Sequence, residues 1–395
     1  MKIERIVTHA LAAHLERPVI FAIGPYQTFT ATLVEVITAD GRGGVGECIV
    51  RRAPRVTATI VEDLLAPLLV GRDPRDVGRL WDEMFAQLRR WGHSRGFVLE
   101  AMSGVDIALW DLVAQSSGEP LYRALRGAGR DRVPCYASKV YLADTAGMVA
   151  QTRQQVGAGY KAIKVQVGRS EALGGMLADV ATVRAIREAV GPEVTILLDA
   201  NGAFDAATAI RFCRQLEPLD VTWLEEPVPP DDVSGYELIR RNTTIPLAGG
   251  ESEFGIFGFR DLIERRAIDV LQPDVSRIGG FTAALWLGAL AYAYNLRVAP
   301  HTGFSAGVAH LAALHFAAAT PNLMTYEYML PDLLAAGGGT VQNPLRDIFT
   351  SPFPEPREGM IDLPRGPGLG LAVDWAKVKR YEVGADGGGQ AGGSS

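Results

Sequence analysis

Residues 32–38 (TLVEVIT) alternate apolar and polar side chains, the two-residue period of a strand with one buried face. The turn-forming Ala39-Asp40-Gly41 that follows predicts a hairpin with a second strand ending near Cys48. The period then lengthens to that of amphipathic helices over residues 56–69, 76–91 and 97–115. Together these elements predict an α+β unit over residues 1–130. From Val133 the rhythm changes, and short β-branched runs alternate with helical segments. The runs are 135–142, 162–167, 195–199, 221–225, 246–251, 270–274, 297–301 and 323–328. Eight strands separated by helices predict an α/β barrel of parallel strands over residues 131–363. A doubly wound open sheet is the second possibility, but no Gly-rich phosphate loop follows the first strand of either region. Residues 364–383 are expected to pack back on the first unit. The Gly- and Ser-rich stretch 384–395 is expected to be a disordered tail.

Barrel enzymes place their chemistry at the carboxyl ends of the strands, and acidic residues fall there at a regular interval. Asp199 closes TILLD, Glu225 closes VTWLE and Glu251 closes PLAGGE, each 26 residues after the last. Adjacent strands lie roughly 4.8 Å apart, so three such carboxylates can converge on one hard cation. The alternative for any one of them alone is a solvated or salt-bridged rim acid. Asp274 and His301 end the next two strands. Of the six histidines only His301 ends a strand; His310 and His315 sit on the following helix, where packing is the default, and His9, His14 and His93 fall in the first unit. An Asp bonded to one ring nitrogen fixes the tautomer and raises the basicity of the other, which makes His301 the candidate base.

Composition narrows the partners. A net charge of −6 with no basic run argues against nucleic acid and anionic membrane. The longest apolar stretch, 281–296, is too short to span a bilayer, and the charged start MKIERIVTHA does not read as a signal peptide. Three scattered cysteines, Cys48, Cys135 and Cys213, read as buried thiols of a reducing, cytoplasmic setting.

Seven strings in order carry a resemblance: GVDIALWDL (104–112), GYKAIKVQVG (159–168), DANG (199–202), WLEEP (223–227), GGE (249–251), LQPDVSRIGG (271–280) and PHTGF (300–304). The chain resembles the enolase superfamily, in its mandelate racemase-like subgroup, along nearly its whole length. The resemblance implies an N-terminal capping domain on a modified (β/α)7β TIM-type barrel. It also implies one Mg²⁺ held by Asp199, Glu225 and Glu251, a small-molecule carboxylate as substrate, and association into a homo-oligomer. His301 would take the proton next to that carboxylate. Lys164 matches the first lysine of the family's Lys-x-Lys pair, and Glu327 on the eighth strand would bond the charged intermediate through a protonated carboxyl. Asn201 shares parity with Asp199 and would support the metal or substrate. Capping-domain residues, here Tyr26, Arg51 and Arg52, would meet the substrate's distal groups.

One position departs from the pattern. Where the family has its second lysine this chain has Gln166, and an amide cannot exchange a proton near neutral pH. Two-base racemisation is therefore disfavoured. A dehydratase of a sugar acid is the expected activity, because it needs one carbon-bound proton removed. A sugar-lactone cycloisomerase is the alternative within that chemistry. An epimerase would need a substitute base, for which Lys139 near the end of the first barrel strand is the candidate. A carboxylate-binding protein that lost catalysis with Gln166 is the reading from another class.

Overall fold

The computed structural model describes all residues except 22–23, 127–128, 336–337 and 385–395. The expected tail from 384 therefore lies, but for Gly384, outside the described residues.

The N-terminal unit is a three-stranded antiparallel sheet, β1 (Ile3–Phe21), β2 (Gly24–Thr38) and β3 (Gly43–Cys48), in that order. The predicted hairpin is there, and residue 32–38 is the inner half of a longer strand. Helices α1 (Pro54–Ile60), α2 (Ala66–Leu69), α3 (Val77–Arg90), α4 (Phe97–Ser117) and α5 (Leu121–Arg126) complete the unit. Helices α1 and α2 run into each other through a π-helical segment over Val61–Leu65, whose junction residues keep right-handed helical backbone, so the helix expected over 56–69 is continuous with one π-bulge inside it. Helix α4 lies close on the sheet because of glycines: a Cβ at Gly46 would stand 1.9 Å from the carbonyl oxygen of Gly104. No larger residue permits that approach.

The second unit is the barrel. Its strands are β4 (Arg132–Val140), β5 (Ala162–Gln166), β6 (Thr195–Asp199), β7 (Val221–Glu225), β8 (Leu247–Gly249), β9 (Val270–Leu271), β10 (Arg297–Val298) and β11 (Tyr326–Met329). All are parallel, in the order β10-β9-β8-β7-β6-β5-β4-β11. A parallel bridge from Val298 to Leu323 joins the two ends and closes the ring. One helix follows each of the first seven strands: α6 (Thr145–Gly157), α7 (Gly175–Val190), α8 (Ala206–Leu216), α9 (Val233–Arg240), α10 (Gly255–Glu264), α11 (Gly280–Ala293) and α12 (Val308–Ala319). No α-helix of comparable length follows β11 among the described residues; a hairpin, β12 (Asp332–Leu334) and β13 (Thr340–Gln342), stands there. This is the (β/α)7β barrel that the family resemblance implied.

The barrel lumen is filled by Tyr136, Leu197, Trp223, Ala248 and Val270, one inward residue from each of five strands, and by Ala299 just past β10. The ladders are short at β8, β9 and β10. The runs read from sequence continue two or three residues further, where the chain leaves the sheet as it turns to the rim. After the barrel, β14 (Met360–Asp362) pairs with β4, and residues 381–383 return to β1, where Ala12 N donates to Tyr381 O at 2.9 Å and Val383 N to Ala10 O at 2.8 Å.

The two units are joined by buried carboxylates. Glu47 accepts from Ala306 N (2.7 Å) and Ala309 N (2.8 Å) at the start of α12. Asp106 of α4 accepts from Thr282 N (3.0 Å) and Oγ1 (2.7 Å) at the start of α11. Acids at helix N-termini satisfy amides that have no partner within the helix. The three cysteines are free and buried. Among the described residues no helix is long and apolar enough to cross a membrane.

Candidate active site

The alternation of a strand carries Lys164 and Gln166 of β5, Asp199 of β6 and Glu225 of β7 to the same side, into the mouth of the barrel. Gln166 is the register partner of Asp199, and Asp199 of Glu225, so their backbones lie directly abreast. Glu251, Asp274 and His301 follow just past the ends of β8, β9 and β10. All are buried, Asp199 and Glu225 completely.

Charges there are paired side by side. Lys164 Nζ stands 2.7 Å from Glu225 Oε1, 2.6 Å from Glu327 Oε1 and 3.7 Å from Asp199 Oδ2. Lys139 Nζ donates to Asp199 Oδ2 at 2.9 Å. Arg51, from the N-terminal unit, donates to Glu251 Oε1 at 2.8 Å. The other Glu225 oxygen accepts from Gln272 (2.8 Å) and Trp223 Nε1 (3.3 Å). Gln166 donates to Asn201 Oδ1 at 3.2 Å.

Burial shapes how these groups titrate. Glu225 is pushed up to about 8, foremost by burial; Lys164 opposes this, while Asp199, Glu327 and Glu251 add to it. Asp199 and Glu251 are held below the usual carboxylate range. Burial works against this, but Lys139 and Lys164 outweigh it at Asp199, and His301 and Arg51 at Glu251. Lys164 is held a cation by Glu225 and Glu327 in spite of burial.

His301 Nδ1 lies 2.8 Å from Asp274 Oδ2, and its Nε2 lies 3.3 Å from Glu251 Oε2. Asp274 is itself fixed by Ser276, whose N–H donates at 2.9 Å. With Nδ1–H committed to Asp274, Nε2 is the nitrogen free to take a proton. Burial depresses the imidazole pKa, but Glu251 and the Asp274 bond together raise it above the ordinary value.

A cavity of about 70 Å³ joins the set; His301, Lys164, Lys139, Glu251, Glu327 and Asn201 face it from the barrel, and Tyr26 and Arg51 from above. Every residue expected at the site thus lies in or directly behind that cavity except Arg52, which is exposed on an outer groove. Tyr26 packs its ring on Phe304 at 5.2 Å. One expectation needs correction, and one open question is answered. Glu327 does not have the raised pKa that a protonated carboxyl requires. Burial pushes it up, but Lys164 and His301 pull it below normal, and it accepts from Ser138 Oγ (2.6 Å) and Thr302 N (2.9 Å). Lys139, whose direction was open, faces inward: a register shift between Ser138 and Val140 breaks the alternation and sends two consecutive side chains into the mouth.

Sequence reasoning missed Gln272, Trp223, Ser138 and Thr302, which bond to the acids. Gln272 and Trp223 each stand two residues before a rim acid and share its parity, which was a usable signal. Glu226 was missed as well; it is buried, with Oε1 lacking any hydrogen-bond partner among the described residues.

Asp199, Glu225 and Glu251 carry oxygen donors of the kind that a hard divalent cation takes. Among the described residues no three Asp, Glu, His or Cys side chains are disposed as a ligand cage; Lys139, Lys164 and Arg51 are turned to the three carboxylates instead. Yet burial and mutual repulsion raise Glu225, and Oε1 of the next residue, Glu226, has no partner among the described residues. This excess of buried acid fits a cation.

The family model described as mandelate racemase / muconate lactonizing enzyme, N-terminal domain, matches residues 2–125, and that described as enolase C-terminal domain-like matches 147–377. The chain belongs to the mandelate racemase / muconate lactonizing enzyme family of the enolase superfamily. It is 32% identical over 391 residues to the D-galactarolactone cycloisomerase of Agrobacterium fabrum, covering 97% of this chain and 99% of that one. It is 34% identical over 344 residues to the L-rhamnonate dehydratase of Saccharopolyspora erythraea, covering 87% and 83%. A solved racemase from Streptomyces coelicolor A3(2) with bound magnesium superposes with a TM-score of 0.85 at 29% identity, over 96% of this chain and 100% of that one.

Proposed function

We propose that the protein is a magnesium-dependent dehydratase of a sugar acid. The observation that carries this reading is the Asp274–His301 pair, held at 2.8 Å with Nε2 turned to a cavity that also receives Lys164. A divalent cation, held by Asp199, Glu225 and Glu251, would draw charge from the substrate carboxylate and so acidify the adjacent carbon. His301 Nε2 takes the carbon-2 proton, and Asp274 stabilises the imidazolium that results. Lys164, anchored between Glu225 and Glu327, places a fixed positive charge where the enediolate's second negative charge develops. Protonated His301 then returns its proton to the departing carbon-3 hydroxyl. Water leaves, and the enol becomes a 2-keto acid. Glu327 acts in this scheme as an ionised anchor of Lys164.

Cycloisomerisation of a sugar lactone is the second reading, favoured by the relative of that activity that aligns over 97% of this chain. It starts with the same proton abstraction, but the ring oxygen leaves in place of water. An epimerase would need Lys139 to deliver a proton across from His301.

Incubation with magnesium and a panel of sugar acids and lactones in heavy water, read by mass spectrometry and NMR, separates these outcomes. A keto acid lighter than its substrate by one water and carrying one solvent deuterium at carbon 3 is expected. A ring-opened keto acid that keeps all the atoms of a lactone, with one deuterium in place of hydrogen, replaces the reading with the second one. Inverted, deuterium-labelled substrate means an epimerase, and no exchange on any compound removes the enzyme reading. Independently of turnover, magnesium should raise the unfolding temperature of the protein but not of Asp199→Asn. At a hundred times Kd such binding is worth about 2.7 kcal/mol.

A further inference from the structure

A second cavity lies just outside the barrel wall, between α6, the end of β4 and the β11–β12 connection. Its volume is 330 Å³, within the roughly 300–1,000 Å³ usual for small-molecule sites. Lys139 is the partition, lining this cavity and the reaction cavity alike.

Three tyrosines form the apolar walls: Tyr141, Tyr160 and Tyr328. The rings of Tyr160 and Tyr328 are stacked 6.3 Å apart with 29° between planes. The wall beside them is fixed. Gln151 accepts from Tyr141 N (2.9 Å) and donates to Tyr141 O (3.0 Å), and Gln155 donates to Lys139 O (3.2 Å). Gln155 is only 7% exposed, lines the cavity, and its Oε1 has no hydrogen-bond partner among the described residues. A buried carbonyl without a donor destabilises the wall, and a ligand hydroxyl reaching it would relieve that.

The lining also selects by charge. Asp332 and Glu355 are exposed lining residues, and Lys139, the one basic residue among the described lining, is already bound to Asp199. Carboxylates and an amide oxygen ask for donors and repel an anion. Aromatic faces, negative at their centres, attract the slightly positive C–H face of a sugar ring. We propose that this cavity is a second binding site, for a neutral sugar, separate from the site that takes the acid. The proposal does not depend on which reaction the first cavity performs.

Saturation-transfer NMR on the full chain, with neutral aldoses and methyl glycosides as probes, tests it. Binding of at least one neutral sugar is expected, with no competition from the matching aldonate. Affinity should fall at least tenfold in Tyr160→Ala, which removes a stacking face, and in Gln154→Trp, which fills the mouth from an exposed position. It should persist in His301→Asn. Gln154→Trp should keep wild-type unfolding temperature, so it decides the matter even if Tyr160→Ala folds poorly. No binding by any neutral sugar, binding unchanged in Gln154→Trp, or loss of binding in His301→Asn or on adding aldonate would each overturn the proposal. The last two would put the sugar in the reaction cavity.

Discussion

Asp274 and His301 stand on different strands, and their bond fixes which ring nitrogen carries the proton. Asp274→Asn keeps the shape but lets the amide donate to Nδ1, favouring the tautomer with Nε2 protonated. Turnover should fall about 10²–10⁴-fold, with a smaller change in KM, as steady-state kinetics would show. The pH profile carries the sign of the cause. A base that keeps its Asp274 bond holds its proton, and stays inactive, to higher pH than one without it, so kcat/KM should fall on acidification as His301 takes up its proton. Loss of the Asp274 bond should move that limb to lower pH in the variant. An unmoved limb would mean that another group titrates. At this scale the sequence was a good guide to which residues meet, because strand ends and parity are geometric. It was a poor guide to their partners. Nothing local showed that Lys139 escapes the alternation, or that Lys164 would hold Glu327 ionised, since both depend on neighbours far along the chain.

Helix α12 shows how an element built of apolar residues tolerates two histidines. His315 accepts from Tyr122 N at Nδ1 (3.1 Å) and meets Leu369 O with Nε2 (3.1 Å), so its neutral form is fully used. Burial, foremost, pushes it down to about 4 and His310 to about 3. Both pKa values are depressed, so the stability they protect is present above about pH 6.5 and is lost as pH falls towards 4. Protonating His315 would cost on the order of 3 kcal/mol by that shift. Denaturant unfolding should weaken between pH 6.5 and 4, and His315→Gln, which can keep both bonds, should flatten the dependence. An equally steep curve in the variant would acquit this residue. The helices and inner strands were legible from periodicity. The long β1 was not, since residues 3–21 mix charges into both faces, and neither was the π-bulge, which no residue pattern marks.

At the scale of the whole molecule, the small sheet unit and the barrel are fastened by acids that sit on helix starts. Glu47 is pushed up to about 7, foremost by burial, against the amides of Ala309 and Ala306. Glu47→Ala leaves two buried N–H groups without acceptors and should cost about 2–4 kcal/mol, read as a lower denaturant midpoint. A variant as stable as the parent would show that water replaces the carboxylate. The family strings made this two-part plan readable, and Asp106 lies in one of them, but Glu47 lies outside them all and carries no spacing signal. Arg51 gives the arrangement its largest consequence. A guanidinium from one unit ends on Glu251 of the other, so neither piece, made alone, owns a finished cavity. Grafting a foreign lid onto this barrel would strip a counter-charge from its acids as well as altering the roof, and any such chimaera must carry residue 51 across with the lid.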